Sequence, residues 1–300
     1  MRGMKIREAP NWILTTWTLL AFITACSPPN IPKSTSTPNP PTSTPQQTLT
    51  PSPTLEIPTA TSTQPVCLTQ PGRVESGTVT STEPAQEYLI YLPPCYDEQI
   101  NKLYQVLYLL HGQTYTADQW IRLGAVDVLN SLFLSGKAQP FIVVFPNDRY
   151  WYTESGSGFG ERLVNALVPH IDETYRTIPD RDQRAIGGMS RGAGWALRLG
   201  LSHWDLFSII GLHSLAVFQG DGSRIEMLLK EIPPESYPVI YMDTGDNDQE
   251  LTQAQQVEAL LGTYGVLHEW HLYSGAHIEE YWSAHMEEYM EWYASQWNNP

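Results

Sequence analysis

Residues 187–194 read Gly-Gly-Met-Ser-Arg-Gly-Ala-Gly and place Ser190 inside a Gly-x-Ser-x-Gly frame. A short apolar run precedes this stretch and a helical pattern follows it, which indicates a sharp turn from a strand into a helix. Gly188 and Gly192 suit such a turn, because a side chain at either position would collide with the neighbouring strand or helix. The helix N-terminus would add partial positive charge where an oxyanion forms. The pattern predicts a nucleophilic serine; a glycine-rich turn with an incidental serine is the alternative.

Apolar strands alternate with helical patterns on both sides of this turn. Continuous apolar strands separated by helices predict an α/β domain with a mostly parallel sheet, covered by helices on both faces. An antiparallel pair of strands opens the domain. The predicted strands are 74–80, 88–92, 106–110, 141–145, 208–212, 239–242, 269–273 and the strand before Ser190, and the predicted helices are 120–134, 161–174, 251–264, the helix after Ser190 and a last helix from residue 278.

Two further residues complete a catalytic pattern. A serine hydroxyl needs a base to accept its proton and an acid to orient that base, and in doubly wound sheets such residues lie at the carboxyl ends of strands. Asp248 follows the strand that ends at residue 242, and His277 follows the strand that ends at residue 273. We therefore predict Asp248 as the acid and His277 as the base. Asp243 and Asp246 remain alternatives for the acid, and His285 for the base.

Two backbone N–H groups are also needed to stabilise an oxyanion. The N–H of Arg191, directly after the serine, is predicted to be one of them. The other is expected from the loop after an early strand, where His111 and Gly112 precede Gln113. The Gln113 N–H is therefore the second candidate, and a plain strand-ending turn is the alternative for this loop.

Four segments, 108–112, 188–192, 245–248 and 275–277, resemble the putative-esterase (esterase D-like) family of α/β-hydrolases. That family includes feruloyl, acetylxylan and enterochelin esterases, S-formylglutathione hydrolase and the mycolyltransferases. The likeness runs from about residue 72 to 297. It implies the α/β-hydrolase fold without a large lid domain, and hydrolysis of carboxylic esters without a cofactor.

The resemblance also implies roles for individual residues. It makes Ser190 the nucleophile, Asp248 the orienting acid and His277 the base, while Gln113 and Arg191 lend their amides. Two aromatic residues match aromatics of the family, and a third follows a predicted strand on the side where the site opens. The expected substrate-lining residues are Trp120, Trp151 and Trp282. For the aromatics around Trp151, packing beneath a loop is the alternative.

The first residues do not belong to the fold. A basic start and an apolar run over 12–25 predict a signal peptide over residues 1–25, ending in a lipobox-like sequence before Cys26. The run is shorter than the roughly 20 residues that span a bilayer. Cys26 is therefore expected to carry a lipid, with an ordinary signal peptide or an uncleaved anchor as alternatives. Residues 26–66 form a Pro/Ser/Thr-rich linker, expected to be disordered, and 67–300 the esterase domain.

These features predict an exported protein, lipid-anchored at the bacterial cell surface or in the periplasm. Its membrane contact would then run only through the N-terminal lipid. The formal net charge is −15, whereas binding to nucleic acid needs a basic surface, so no nucleic-acid partner is expected. The expected partner is a small-molecule or polysaccharide ester.

Cysteine and histidine positions carry two further predictions. In an exported chain, Cys67 and Cys95 are expected to form a disulfide, with two unpaired buried thiols as the alternative. His268 and His271 lie three apart in a predicted strand and would face opposite sides, so no metal site is predicted.

Together the patterns predict a surface-tethered serine esterase that works through an acyl-enzyme, with carbohydrate esters as the leading substrate class. An acyltransferase on the same three residues is one alternative. A ligand-binding lipoprotein without catalytic activity is the other.

Overall fold

A computed structural model describes residues 66–150, 152 and 158–297 of the chain. The expected signal segment, Cys26 and the linker up to residue 65 lie outside these residues, as does Trp151. No helix of the described part is long and apolar enough to cross a membrane.

One eight-stranded sheet forms the centre of the described chain. Its strands are β1 (Arg73–Val79), β2 (Gln86–Leu92), β3 (Val106–Leu110), β4 (Ile142–Pro146), β5 (Arg184–Met189), β6 (Ile209–His213), β7 (Val239–Gly245) and β8 (His268–Tyr273). They lie in the order β1-β2-β4-β3-β5-β6-β7-β8. The pairs β1–β2 and β2–β4 are antiparallel, and all other pairs are parallel. The parallel strands therefore end at one common edge of the sheet.

Helices cover both faces of this sheet. Those in the described part are α1 (Gln119–Arg122), α2 (Ala125–Leu134), α3 (Phe159–Arg162), α4 (Val168–Thr174), α5 (Arg191–Ser202), α6 (Asp221–Glu231), α7 (Leu251–Tyr264), α8 (Glu279–Ala284) and α9 (Met286–Ser295). Side chains of α3 to α7 pack on one face, and those of α1, α2, α8 and α9 on the other. Burial on both faces explains why β3, β4 and β6 are wholly apolar or nearly so. The predicted α/β-hydrolase architecture is confirmed.

The helices differ from the predicted ones in several places. The predicted helix 161–174 contains a π-helical stretch, Leu163–Leu167, between α3 and α4, and the predicted last helix is divided into α8 and α9 at His285. The helix predicted over 120–134 is divided into α1 and α2 by Gly124, whose φ of 103° is incompatible with a continuous helix. The helix α6 was not predicted at all, although Ile225, Leu229 and Ile232 recur at helical spacing and are buried. That spacing could have revealed α6.

Cys67 and Cys95 are joined by a disulfide in the structure. Cys67 lies in a short helical turn before β1, and Cys95 follows β2. The bond therefore fastens the start of the described chain to the antiparallel end of the sheet.

Candidate active site

Ser190 lies in the turn between β5 and α5, with φ 55° and ψ −122°. This backbone conformation is strained for a residue with a side chain and is held by its surroundings. The Ser190 N–H donates to the His213 carbonyl at 2.8 Å. A Cβ at Gly188 would lie 2.3 Å from the carbonyl carbon of Gly192, and one at Gly192 would lie 2.2 Å from the Leu110 oxygen. Only glycine fits at these two positions.

The hydroxyl of Ser190 meets the predicted base and acid at the carboxyl edge of the sheet. His277 Nε2 lies 2.7 Å from Ser190 Oγ. His277 Nδ1 lies 2.9 Å from each of the two carboxylate oxygens of Asp248. The Asp248 side chain is fully buried and that of His277 is 16% exposed. The structure therefore brings together three side chains that β5, β7 and β8 deliver from distant parts of the sequence.

The surroundings of Asp248 keep it ionised. Burial alone opposes the charge, but hydrogen bonds from His277, from the Glu250 N–H and from Ser214 outweigh it and lower the Asp248 pKa. The Glu250 N–H donates to Oδ1 at 2.8 Å. An ionised Asp248 requires the proton of His277 on Nδ1, which leaves Nε2 free to accept the Ser190 proton.

The loop after β3 is held in place by His111. The Nδ1–H of His111 donates to the Gly112 carbonyl at 2.8 Å, and the Asp148 N–H donates to Nε2 at 2.8 Å. Burial lowers the pKa of His111, so the ring stays neutral and makes both bonds. A Cβ at Gly192 would also lie 2.7 Å from the His111 oxygen. This close approach brings the Gln113 turn beside the first residue of α5, Arg191.

The Arg191 side chain is buried and paired. Its Nε donates to Asp148 Oδ2 at 3.0 Å, and Trp195 Nε1 donates to the same oxygen at 3.1 Å. The guanidinium also lies 5.1 Å from the centre of the Phe218 ring. Sequence reasoning missed Asp148, although it follows a predicted buried strand at the edge where functional residues were sought.

Trp282 packs against His277. Its ring meets that of His277 edge-on, with centroids 5.2 Å apart and an angle of 82°. The indole Nε1 donates to Ser214 Oγ at 3.0 Å. Ser214 is fully buried, has a φ of 51°, and lies near enough to Asp248 to help lower its pKa. Trp282 therefore contacts His277 directly and is connected to the surroundings of Asp248 through Ser214. Ser214 was also missed, although it comes just after a predicted strand.

The rival residues lie elsewhere. Asp243 is fully buried and forms a separate pair with His213, which sequence reasoning missed. Asp246 is exposed and accepts from the Gly275 N–H at 3.0 Å. His285 stacks on Tyr273 with ring centroids 4.3 Å apart. Each of these groups is thus engaged away from the Ser190 hydroxyl.

Two of the expected substrate-lining residues are inaccessible. Trp120 is 0% exposed and donates its Nε1–H to the Leu110 carbonyl at 2.9 Å, and Trp282 is 2% exposed. The prediction that they line the substrate site is wrong, because both rings pack into the core beneath the site. Trp151 lies outside the described residues.

A cavity of about 340 Å³ lies next to the His111 loop. Six of its lining residues carry polar side chains, namely Ser76, Thr78, Glu87, Thr116, Asp118 and Asn147. Asn147 immediately precedes Asp148, whose N–H binds His111, and Thr116 follows the Gln113 turn. The cavity therefore lies near the segments that follow β3 and β4, and neither Ser190 nor His277 is among its lining residues. Within the described part of the chain, no group of His, Cys, Asp or Glu could hold a metal ion.

A family model described as putative esterase matches residues 80–293. Among curated proteins, an endo-1,4-beta-xylanase/feruloyl esterase of Xylanibacter ruminicola is 29% identical over 183 residues, which is 57% of this chain and 24% of the relative. Esterase Rv1288 of Mycobacterium tuberculosis is 32% identical over 122 residues, which is 38% of this chain and 26% of the relative. The chain thus spans about a quarter of the length of these relatives.

Solved structures show the same likeness. A ferulic acid esterase is 25% identical with a TM-score of 0.68, covering 76% of this chain and 100% of its own. A feruloyl esterase module from Clostridium thermocellum, solved with sinapinate, is 18% identical with a TM-score of 0.65, covering 79% and 94%. An S-formylglutathione hydrolase from Staphylococcus aureus is 16% identical with a TM-score of 0.60, covering 74% and 97%. The last two share the fold of this chain.

Proposed function

We propose that this chain, which belongs to the putative-esterase family, is a carboxylic ester hydrolase with Ser190, His277 and Asp248 as its catalytic triad. The continuous hydrogen-bonded path from Ser190 Oγ through His277 to Asp248, at 2.7 and 2.9 Å, carries this proposal. It disfavours the non-catalytic alternative, since a binding protein has no need of an activated hydroxyl.

Acylation begins when Ser190 Oγ attacks the ester carbonyl carbon and its proton passes to His277 Nε2. The ionised Asp248 stabilises the imidazolium that forms. The N–H groups of Gln113 and Arg191 donate to the tetrahedral oxyanion, and the N-terminus of α5 adds positive potential there. His277 then returns the proton to the leaving alcohol, and the acyl group remains on Ser190.

Deacylation repeats these steps with water as the nucleophile. His277 Nε2 accepts a proton from the attacking water, and a second oxyanion forms in the same position. When it collapses, His277 protonates Ser190 Oγ and the carboxylic acid leaves. No cofactor enters this cycle, since every proton transfer uses a side chain at hand.

The proposed substrates are carbohydrate esters, including feruloyl esters of sugars. The xylanase/feruloyl esterase relative and the ferulic acid esterase structure support this class by their names.

The test is the rate at which wild type, Ser190→Ala and Ser202→Ala release ferulic acid from methyl ferulate and from a feruloylated arabinose. Ser202 lies on α5 and bonds to the Arg198 carbonyl, so it is a matched control. Wild type and Ser202→Ala should act alike, while Ser190→Ala should lose about 10⁴-fold or more in kcat. A Ser190→Ala protein with wild-type turnover would contradict the triad.

The substrate class is tested by comparing two substrates of the wild-type protein. Equal kcat/KM on methyl ferulate and on a feruloylated arabinose would contradict the sugar specificity.

We further propose that the protein is exported and anchored through a lipid on Cys26, with residues 1–25 removed and 26–66 serving as a tether. The disulfide between Cys67 and Cys95 supports an oxidising compartment. A radiolabelled fatty acid should label the wild-type protein in its bacterial host but not Cys26→Ala. Equal labelling of both would contradict the anchor.

A further inference from the structure

Asp243, on β7, lies at the centre of a buried hydrogen-bond network. It is 0% exposed. The Nδ1–H of His213 donates to its Oδ1 at 2.7 Å. The hydroxyls of Tyr281 and Tyr289 both donate to its Oδ2 at 2.7 Å. Three donors thus satisfy a carboxylate that has no access to water.

The two tyrosine hydroxyls of this network keep their protons near neutral pH. Burial, and then the charge of Asp243, raise the pKa of Tyr281 and of Tyr289 far above the usual value for tyrosine. Both hydroxyls therefore keep their protons and continue to hold the carboxylate.

Tyr281 connects this network to the loop that carries His277. It follows His277 by four residues, in the first turn of α8. A Cβ at Gly275 would lie 2.4 Å from the Tyr281 ring, so the backbone of the loop rests directly on that ring. The Gly275 carbonyl accepts from the Asn247 N–H at 2.8 Å, which joins the same loop to the Asp248 segment.

We propose that Tyr281, anchored by its hydroxyl on Asp243, is a positioning residue that sets His277 against Ser190. The proposal rests on the catalytic role of His277 proposed above. A displacement of about 1 Å at a reacting group can cost about 100-fold in rate, and the Tyr281 ring supports the loop only two residues before His277. Tyr289 makes the same bond to the same oxygen but belongs to α9, which does not carry His277.

This symmetry supplies the experiment: Tyr281→Phe and Tyr289→Phe each remove one 2.7 Å bond to Asp243 Oδ2. The full-length variants are compared with wild type by kcat and KM on methyl ferulate and by thermal melting. Both should melt at similarly reduced temperatures. Only Tyr281→Phe should lower kcat, by about tenfold, with KM changed less than twofold, because its defect lies in the alignment of His277 and not in substrate binding.

Two outcomes overturn the proposal: wild-type kcat in a folded Tyr281→Phe, or an equal loss of kcat in Tyr289→Phe. Ser190→Ala is measured in the same assay. An inactive Ser190→Ala beside an unimpaired Tyr281→Phe would overturn the positioning role alone. An active Ser190→Ala would overturn the triad itself, and the positioning role with it.

Discussion

Two carboxylate–imidazole pairs lie at the ends of neighbouring strands, Asp248 with His277 and Asp243 with His213. Their Nδ1–oxygen distances are similar, 2.9 Å in the first and 2.7 Å in the second. They differ in the group at Nε2. In His277 that group is the Ser190 hydroxyl at 2.7 Å, on a strained turn at the sheet edge.

In His213 the Nε2 partner is the Tyr293 hydroxyl at 3.0 Å, and both residues of the pair are completely enclosed. Burial raises the pKa of Tyr293 far above its usual value, and the residue is 0% exposed, so its hydroxyl cannot meet a substrate. An acid–base pair therefore does not itself make a catalytic site. The residue at the second nitrogen, and access for a substrate, decide between chemistry and structure.

The largest expected contrast is between the two histidines. His277→Ala should lower kcat by about 10⁴-fold or more while changing the melting temperature little, because the triad acts as a unit. His213→Ala should instead cost about 3 kcal/mol of folding stability, because it leaves Oδ1 of the buried Asp243 without the imidazole donor. Steady-state kinetics and urea denaturation of both variants measure this. A stable but inactive His213→Ala would contradict the assignment of a structural role to His213 and a catalytic role to His277.

Asp248→Asn should lower kcat by about 10³- to 10⁴-fold, since an amide favours the wrong tautomer of His277. The Asp248 pKa is lowered in the folded state. Its ionised form thus contributes stability above the unfolded value near 3.9, and this contribution is lost as pH falls through the lower folded value. The stability gap between wild type and Asp248→Asn should therefore narrow below about pH 4. Denaturation series at several pH values check this, and a gap that widens in acid would contradict it.

Asp243→Asn should lower the stability of the fold and, because Asp243 anchors Tyr281, should lower kcat as well. An amide at this position can no longer accept from all three donors, at a cost of about 2–4 kcal/mol in the free energy of unfolding. Asp246→Asn, at an exposed neighbour in the chain, serves as the control and should cost less than about 1 kcal/mol. The midpoints of urea denaturation of Asp243→Asn and Asp246→Asn test this prediction. Equal midpoints would mean that the buried carboxylate is not the anchor described above.

The smallest effect is expected for Trp282→Phe. This change keeps a ring against His277 but removes the N–H that donates to Ser214. The loss of one hydrogen bond corresponds to about a two- to tenfold decrease in kcat. Ser283→Ala, next in the chain and bonded to the Leu123 carbonyl, is the matched control. Identical kinetics of Trp282→Phe and wild type would contradict a contribution of the Trp282–Ser214 hydrogen bond to catalysis.

The sequence was sufficient to place Ser190, Asp248 and His277 after predicted strands, and therefore at one edge of the sheet. The strands before Ser190 and Asp248 are almost wholly buried, whereas β8, before His277, contains two histidines and a glutamate and is only partly buried. The sequence did not reveal the pairing of His213 with Asp243. That pairing depends on the register of β6 and β7, where these two residues are direct partners, and register is not visible in a single sequence. Trp120 and Trp282 were misjudged for a related reason. Whether an aromatic near a site faces solvent or core depends on the angle at which its helix packs.

The network also depends on space left by missing side chains. Gly187 and Gly211 are partners on β5 and β6, and a Cβ on either would lie 1.8 Å from the Tyr293 oxygen. A methyl group added at either position would therefore displace the Tyr293 side chain from its packed position. Directed-evolution libraries that vary β5 or β6 should therefore keep glycine at both positions.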